Sequence, residues 1–172
     1  MGDILGKIKP ELLWNHFEEI CKIPHPSRKE QKLAQYVISV AKKNGLKYST
    51  DDFGNIVIKK PATPGKENLT PVVLQGHLDM VAEKNSDVKH DFDKDPIQVY
   101  IDGDWVKAKG TTLGSDNGIG VAAALAVMED KSLKHGPVEA LFTLDEETGL
   151  NGAQALKQGF LSSDILLNLD SE

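Results

Sequence analysis

The sequence has a single cysteine, no long apolar run and no signal peptide pattern. Cys21 has no second cysteine with which to form an internal disulfide, which fits a reducing cytoplasm. No apolar stretch approaches the roughly 20 residues that a membrane-spanning helix requires. The first residues, from Met1 to Leu5, lack the basic and apolar regions of a signal peptide. We therefore expect a cytoplasmic protein with no membrane partner.

The sequence also lacks an excess of positive charge. Its 20 Lys and Arg residues are outnumbered by 26 Asp and Glu residues, which gives a formal net charge of −6 and a pI near 5.4. Binding to nucleic acid independently of sequence needs a basic surface, so we expect no nucleic-acid partner. The contents of 40% hydrophobic and 27% charged residues are ordinary for a globular protein. The length of 172 residues suffices for one domain with a substantial core.

The pattern of apolar residues predicts helices alternating with strands. The second helix is expected to begin with a capping box, in which Ser27 and Glu30 each bond to the other's backbone. Helices are predicted at 10–22, 27–44, 117–130 and 153–158, a strand pair around 51–55, a hairpin at 97–108, and strands at 71–74, 138–144 and 165–169. This order predicts an α/β fold of three layers, with helices flanking a mainly parallel sheet.

Chemically active side chains follow the ends of several predicted strands. Gly76-His77-Leu78-Asp79 ends the first, Asp116 lies in a glycine-rich loop before a helix, Glu146 and Glu147 end the next strand, and Asp170 ends the last. In open α/β sheets, ligands bind at the carboxyl ends of the strands. If these carboxylates converge, their mutual repulsion requires compensating cations. The sequence therefore predicts a site for a pair of divalent metal ions.

The spacing of His77 and Asp79 suits a metal ligand and its partner. Residues two apart on an extended chain point to the same side, and a metal-bound imidazole usually donates its other N–H to a carboxylate. Glu146 and Glu147 are adjacent, so they cannot share a direction on a regular strand. Either the backbone bends there, or one of the two lies outside the site.

Each pattern also has a simpler interpretation when it is taken alone. His77 and Asp79 fit a surface hydrogen-bonded pair, and Asp116 fits the cap of the following helix. The Glu146–Glu147 pair fits a solvated strand end, and Asp170 fits an ordinary turn. The occurrence of all four patterns in order favours the metal site.

Together these motifs resemble those of the M20-type metallopeptidases, and within that family the branch of aminoacyl-histidine dipeptidases. The resemblance runs from residue 76 to the last residue, and the amino-terminal segment is similar as well. The motifs that carry it are Gly76-His77-Leu78-Asp79-Met80-Val81, Thr112-Leu113-Gly114-Ser115-Asp116-Asn117-Gly118-Ile119-Gly120, Leu144-Asp145-Glu146-Glu147-Thr148-Gly149 and Asn168-Leu169-Asp170-Ser171-Glu172.

The resemblance implies a particular set of site residues. In the family, two zinc ions share a bridging carboxylate and a water or hydroxide, and Mn²⁺ or Co²⁺ are expected substitutes. Carried over by motif, His77 and Asp170 would bind one metal, Glu147 the other, and Asp116 would bridge them. Glu146 would be the general base and Asp79 would orient His77. A cis peptide bond between Asp116 and Asn117 is also implied.

The activity that the resemblance implies is hydrolysis of small dipeptides, with Xaa-His among the substrates. Two alternatives stay open: another M20 branch, such as an aminoacylase-like deacylase or tripeptidase, and a non-catalytic folding unit. The family also has a further histidine ligand and a lid domain that often carries a dimer interface. We therefore expect residues 1–172 to be the amino-terminal part of the catalytic domain, without the lid domain or the carboxyl-terminal part. This chain would be inactive by itself, and the longer protein would be able to form a homodimer.

Overall fold

A computed structural model describes residues 4–170 of the protein. Ser171 and Glu172, which belong to the last resembling motif, lie outside the described residues, as does the start of the amino-terminal segment. The elements in chain order are α1 (Glu11–Lys22), α2 (Gln31–Lys43), β1 (Lys47–Thr50), β2 (Ile56–Lys60), β3 (Val72–His77), β4 (Val99–Asp102), β5 (Trp105–Ala108), α3 (Ser115–Glu129), β6 (Val138–Thr143), α4 (Asn151–Gln154) and β7 (Ile165–Asn168). Within residues 4–170, no helix is both long and apolar enough to cross a membrane.

The central sheet has the strand order β1-β2-β6-β3-β7, and β4 pairs with β5 in a separate hairpin. The strands β6, β3 and β7 are parallel, whereas β1 and β2 run antiparallel to their neighbours. The α/β fold with helices against a sheet is confirmed, and the sheet is mixed. Its antiparallel part arises from a short turn between β1 and β2. There Asp51 Oδ1 accepts hydrogen bonds from the backbone N–H groups of residues 53, 54 and 55, at 3.0, 2.9 and 2.9 Å.

Helix α3 lies at the centre of the core, between α1 and the strands β3 and β6. Its residues Val121, Ala122, Ala124 and Leu125 are fully buried. Gly118 faces α1, where an added methyl group would lie 3.3 Å from Phe17. Small residues therefore let α1 approach closely, and α3 is held with its first turn at the carboxyl ends of the parallel strands.

The opposite face of the sheet is covered at β6, but not at the exposed strand β7, by the segment that leads from α4 to β7. Successive residues of a strand face opposite sides, so Glu139 of β6 points away from α3. Glu139 is 4% exposed, and its carboxylate accepts hydrogen bonds from Ser162 and Ser163. It also forms an ion pair with Lys59, whose Nζ lies 2.7 Å from Oε1. The predicted helix at 153–158 is shorter and earlier than expected. A buried glutamate thus fastens the third layer, which has little regular structure.

Replacing Glu139 with Gln is expected to destabilise the fold in a pH-dependent way. Burial would raise the pKa of Glu139, but hydrogen bonds from Lys59, Ser163 and Ser162 lower it from 4.5 to about 2. A carboxyl group whose pKa is lowered by folding stabilises the folded state at pH values above its ordinary pKa. This contribution is lost as the pH falls toward the lowered pKa. At neutral pH, Glu139→Gln should reduce the free energy of unfolding by about 1.5–3 kcal/mol, the range for hydrogen bonds to a charged group.

Urea unfolding at a series of pH values tests this expectation. The difference between the wild type and the variant should shrink as the pH falls from 4.5 toward about 2. The exposed residue Glu67 provides a matched control, since Glu67→Gln should leave stability nearly unchanged. A difference that stays constant across this pH range would contradict the assignment of Glu139.

Candidate metal centre

The parallel strands bring the predicted site residues to one edge of the sheet. Strand β3 ends at His77, whose Nε2 lies 3.0 Å from Asp116 Oδ1, 3.6 Å from Asp170 Oδ2 and 3.9 Å from Glu146 Oε2. Ligand atoms of His77, Asp116 and Asp170 all lie within 4.8 Å of one another, as do those of His77, Glu146 and Glu147. The geometry is therefore that of a single cleft, and the role of each residue in it stays a prediction.

The backbone after β6 bends so that both glutamates reach the cleft. Asp145 has a φ of 50°, in the left-handed region that non-glycine residues rarely adopt. The N–H groups of the next two residues, Glu146 and Glu147, then point inward and donate hydrogen bonds to Asp79 Oδ1 and Oδ2 at 2.9 and 3.1 Å. Of the two possibilities that the adjacent acids left open, the bend is the one observed.

Asp79 lies behind His77 and is almost completely buried, with 1% exposure. The imidazole Nδ1 is 3.0 Å from the backbone carbonyl oxygen of Asp79 and 3.4 Å from its carboxylate Oδ1. The hydroxyl of Ser27 donates to Oδ2 at 2.8 Å. His77 is thus oriented by both the main chain and the side chain of the same residue, with Nε2 directed to the cleft.

These contacts shift the pKa values of the buried pair in opposite directions. Burial would lower the pKa of His77, but the hydrogen bond and charge of Asp79, followed by Asp116 and Asp170, raise it to about 9. Burial would raise the pKa of Asp79, but hydrogen bonds from His77, Ser27 and two backbone N–H groups lower it to about 2. The pair is therefore a compensated ion pair under a layer of further acids.

The acids in the open part of the cleft have raised pKa values. For Glu146, Glu147 and Asp170 burial is the largest cause, and repulsion from neighbouring carboxylates such as Asp116 adds to it. His77 opposes this effect in each case. One imidazole nitrogen and several carboxylate oxygens are donors that zinc prefers, and a divalent cation would relieve the repulsion. The residues present therefore fit a divalent metal centre.

The peptide bond between Asp116 and Asn117 is cis, as the resemblance implies.

His25, near the site, is 3% exposed, and its Nδ1 is 2.5 Å from the carbonyl oxygen of Ile23. Within the part of the chain that the structure describes, the candidate ligand groups contain one histidine, His77.

The prediction of a capping box at the start of α2 is wrong. Arg28 has a φ of 69°, so the helix cannot run through it, and α2 begins only at Gln31. Ser27 bonds instead to Asp79, and Glu30 Oε1 accepts from the N–H groups of Arg28 and residue 145 at 2.8 and 3.1 Å. Both residues support the site. No local signal reveals this, since Ser27 lies 52 residues from Asp79 in the chain.

The fold and the site define an α/β protein with a candidate metal centre at the carboxyl edge of its parallel strands. Residues 73–169 match the profile of peptidase family M20/M25/M40. The chain belongs to this family, and the resemblance seen in its motifs is confirmed at that level.

Individual relatives cover nearly all of this chain. The chain is 57% identical over 168 residues to the cytosol non-specific dipeptidase of Escherichia coli strain K12, matching 98% of this chain and 35% of that protein. It superimposes on an aminoacylhistidine dipeptidase from Vibrio alginolyticus with a TM-score of 0.95 at 57% identity, over 98% of this chain and 34% of the other. A tripeptidase from Staphylococcus aureus shares the fold, with a TM-score of 0.80 at 23% identity over 96% and 44% of the two chains. The chain thus spans about a third of the length of its dipeptidase relatives.

The variant Asp79→Asn should lower the pKa of His77 from about 9 toward the ordinary value of 6.5. The reason is that Asp79 contributes both a negative charge and a hydrogen-bond acceptor to the protonated imidazole. An NMR titration of the imidazole in chelator-treated protein measures this shift. The exposed residue Asp52 offers a control, because Asp52→Asn should leave His77 unaffected. If the imidazole of the Asp79→Asn variant still titrates near 9, Asp79 is not its main partner.

Proposed function

We propose that the protein to which this chain belongs hydrolyses dipeptides, Xaa-His among them, with two zinc ions. The observation that carries the proposal is the convergence of His77, Asp116, Glu146, Glu147 and Asp170 in a chain 57% identical to a dipeptidase. Mn²⁺ and Co²⁺ accept the same nitrogen and oxygen donors and are proposed substitutes. The cytosolic designation of the Escherichia coli relative supports a cytoplasmic location.

In this proposal His77 and Asp170 would hold one metal, Glu147 would hold the second, and Asp116 would be a ligand of both. The Asp116 side chain is 68% exposed, whereas His77 is 1% exposed. An ion would therefore meet a buried nitrogen below and carboxylates around it. When bound, a divalent pair supplies Lewis acidity toward the scissile carbonyl and lowers the pKa of a water molecule.

Glu146 is the general base in the proposed reaction. Its Oε2 lies 3.9 Å from His77 Nε2, beside the ligand atoms and facing the cleft. In the metal-free site burial, with added repulsion from Asp170, raises its pKa. A carboxylate at this position is within reach to accept a proton from a water molecule in the cleft. Glu146 takes a proton from the attacking water and passes it to the leaving amine.

Asp79 acts on the reaction through His77. Its carbonyl and carboxylate oxygens face Nδ1, so Nδ1 keeps its proton, and Nε2, which would give up its proton to bind a metal, is directed into the cleft. By accepting from the N–H groups of Glu146 and Glu147, the same carboxylate also holds the general base in place.

The proposal includes the division of the longer protein. Residues 1–172 would form the amino-terminal part of the catalytic domain. The match to 35% of the dipeptidase relative supports a protein longer than this chain. Within residues 4–170, His77 is the only histidine in the candidate ligand groups. A second imidazole, for the metal at Glu147, would therefore come from outside these residues. In the same proposal, the longer protein also contains a lid domain and the carboxyl-terminal part of the catalytic domain, and it can form a homodimer.

Glu146→Gln should remove dipeptide hydrolysis from the complete gene product while leaving bound zinc in place. The amide keeps the shape but cannot accept the proton, and loss of a general base typically reduces kcat by about 10²–10⁴-fold. Hydrolysis of Xaa-His dipeptides, tripeptides and N-acyl amino acids is measured in parallel with metal content. The exposed variant Glu67→Gln should retain full activity. Preference for tripeptides or acyl amino acids would favour another branch of the family, and unchanged kcat in Glu146→Gln would refute the base assignment.

The 172-residue chain alone should retain at most one tightly bound zinc and show no measurable dipeptide hydrolysis. His77, Asp116 and Asp170 form a complete three-ligand set, whereas Glu147 and the bridging Asp116 offer too few donors for the second ion. Elemental analysis after dialysis and a hydrolysis assay measure both quantities. Two retained zinc ions together with turnover would show that this chain is sufficient, which contradicts the proposed division.

A further inference from the structure

Asn117 is a buried residue beside the cleft that the proposed reaction does not use. It follows Asp116 directly and is 2% exposed. Its Nδ2 donates hydrogen bonds to the backbone carbonyl of Leu169 at 3.0 Å and to Asp170 Oδ1 at 3.2 Å. Both acceptors are oxygens that cannot donate, so the orientation of the amide is determined by its partners.

The other end of the Asn117 amide occupies a slot formed by two glycines. A methyl group added to Gly76 would lie 2.3 Å from Oδ1, and one added to Gly120 would lie 2.6 Å from it. Within the described residues, this buried oxygen has no hydrogen-bond partner. The side chain is therefore held by packing between β3 and α3, while only its NH₂ group makes polar contacts.

The two oxygens of Asp170 have different surroundings. Oδ1 accepts from Asn117, whereas Oδ2 lies 3.6 Å from His77 Nε2. Asp170 follows the exposed strand β7 and is not part of a strand itself. Repulsion from Asp116 opposes its approach to the cleft. A donor that holds Oδ1 from behind offsets this repulsion and leaves Oδ2 directed toward the other ligand atoms.

We infer that Asn117 is a positioning residue that holds Asp170 in its metal-binding orientation, an inference that rests on the proposed ligand role of Asp170. Asn117 acts from a rigid base, since Gly76 and Gly120 fix its oxygen. Through Leu169 it also ties the end of β7 to the first turn of α3. The start of α3, where the backbone of Asp116 and Asn117 is not helical, would thus supply one proposed ligand, Asp116, and the support of another, Asp170.

A double-mutant cycle on zinc affinity tests this inference. Asn117→Ala should weaken zinc binding by about 10–100-fold, the usual effect of removing a partner of a ligand, and Asp170→Ala should weaken it at least as much. The double variant should bind zinc about as weakly as Asp170→Ala alone, because coupled residues are not additive. Affinity for zinc alone is measured by competition with a chromophoric chelator.

Two further variants separate positioning from a loss of fold. Asn117→Asp keeps the shape but places an acceptor against Asp170 Oδ1, so it should also weaken zinc binding. Val37→Ala, in the buried core of α2, should lower the melting temperature and leave zinc affinity unchanged. If Asn117→Ala does not fold, Asn117→Asp gives the result in its place.

The possible results separate a failure of the positioning role of Asn117 from a failure of the proposed ligand role of Asp170. Unchanged zinc affinity in Asp170→Ala would remove the proposed ligand and with it the basis of the inference. Weakened binding in Asp170→Ala, with wild-type affinity in both Asn117 variants, would overturn the positioning role alone. If Asn117→Ala weakened binding by the same factor with and without Asp170, its role would be structural, and the inference would again be overturned.

Discussion

The geometry of the cleft depends on the buried carboxylate of Asp79. This group is 1% exposed, and a buried anion is stable only when donors surround it. Its donors come from three parts of the chain: Ser27 before α2, the imidazole at the end of β3, and the N–H groups of Glu146 and Glu147 after β6. The same contacts that stabilise the charge therefore bring the loop with the two glutamates against β3.

Above this compensated anion the cleft carries more negative charge than its own cations balance. His77 lies at the bottom of the cleft. The raised pKa values of Glu146, Glu147 and Asp170 result first from burial and then from the repulsion among these acids. Sites arranged for function commonly reduce stability in this way. The fold tolerates the arrangement because the core formed around α3 and the fastening of the third layer by Glu139 lie away from the cleft.

The sequence predicts the parts of the site that follow from strand geometry. His77 and Asp170 converge because parallel strands end at one edge of a sheet. The strand pair around 51–55 is predicted and is observed as β1 and β2, but the antiparallel pairing of β2 with β6 could not be predicted, since no local pattern selects distant strand partners. The spacing of Ser27 and Glu30 is the same as in a capping box and therefore predicts a helix cap. Their partners lie far away in the chain, and only tertiary structure selects them.

Two different physical constraints explain why glycine occupies positions 76, 114 and 120 of the motifs. Gly114 has a φ of 71°, a backbone conformation that side chains disfavour, and it turns the chain into α3. Gly76 and Gly120 have no such φ, and an added methyl group at either would collide with the amide of Asn117. These two are glycine because of space. In the sequence the three residues look alike, so the slot for Asn117 could be found only once β3 and α3 were in place. The motif thus encodes a turn and a packed amide together, and both act on the same pair of acids, Asp116 and Asp170.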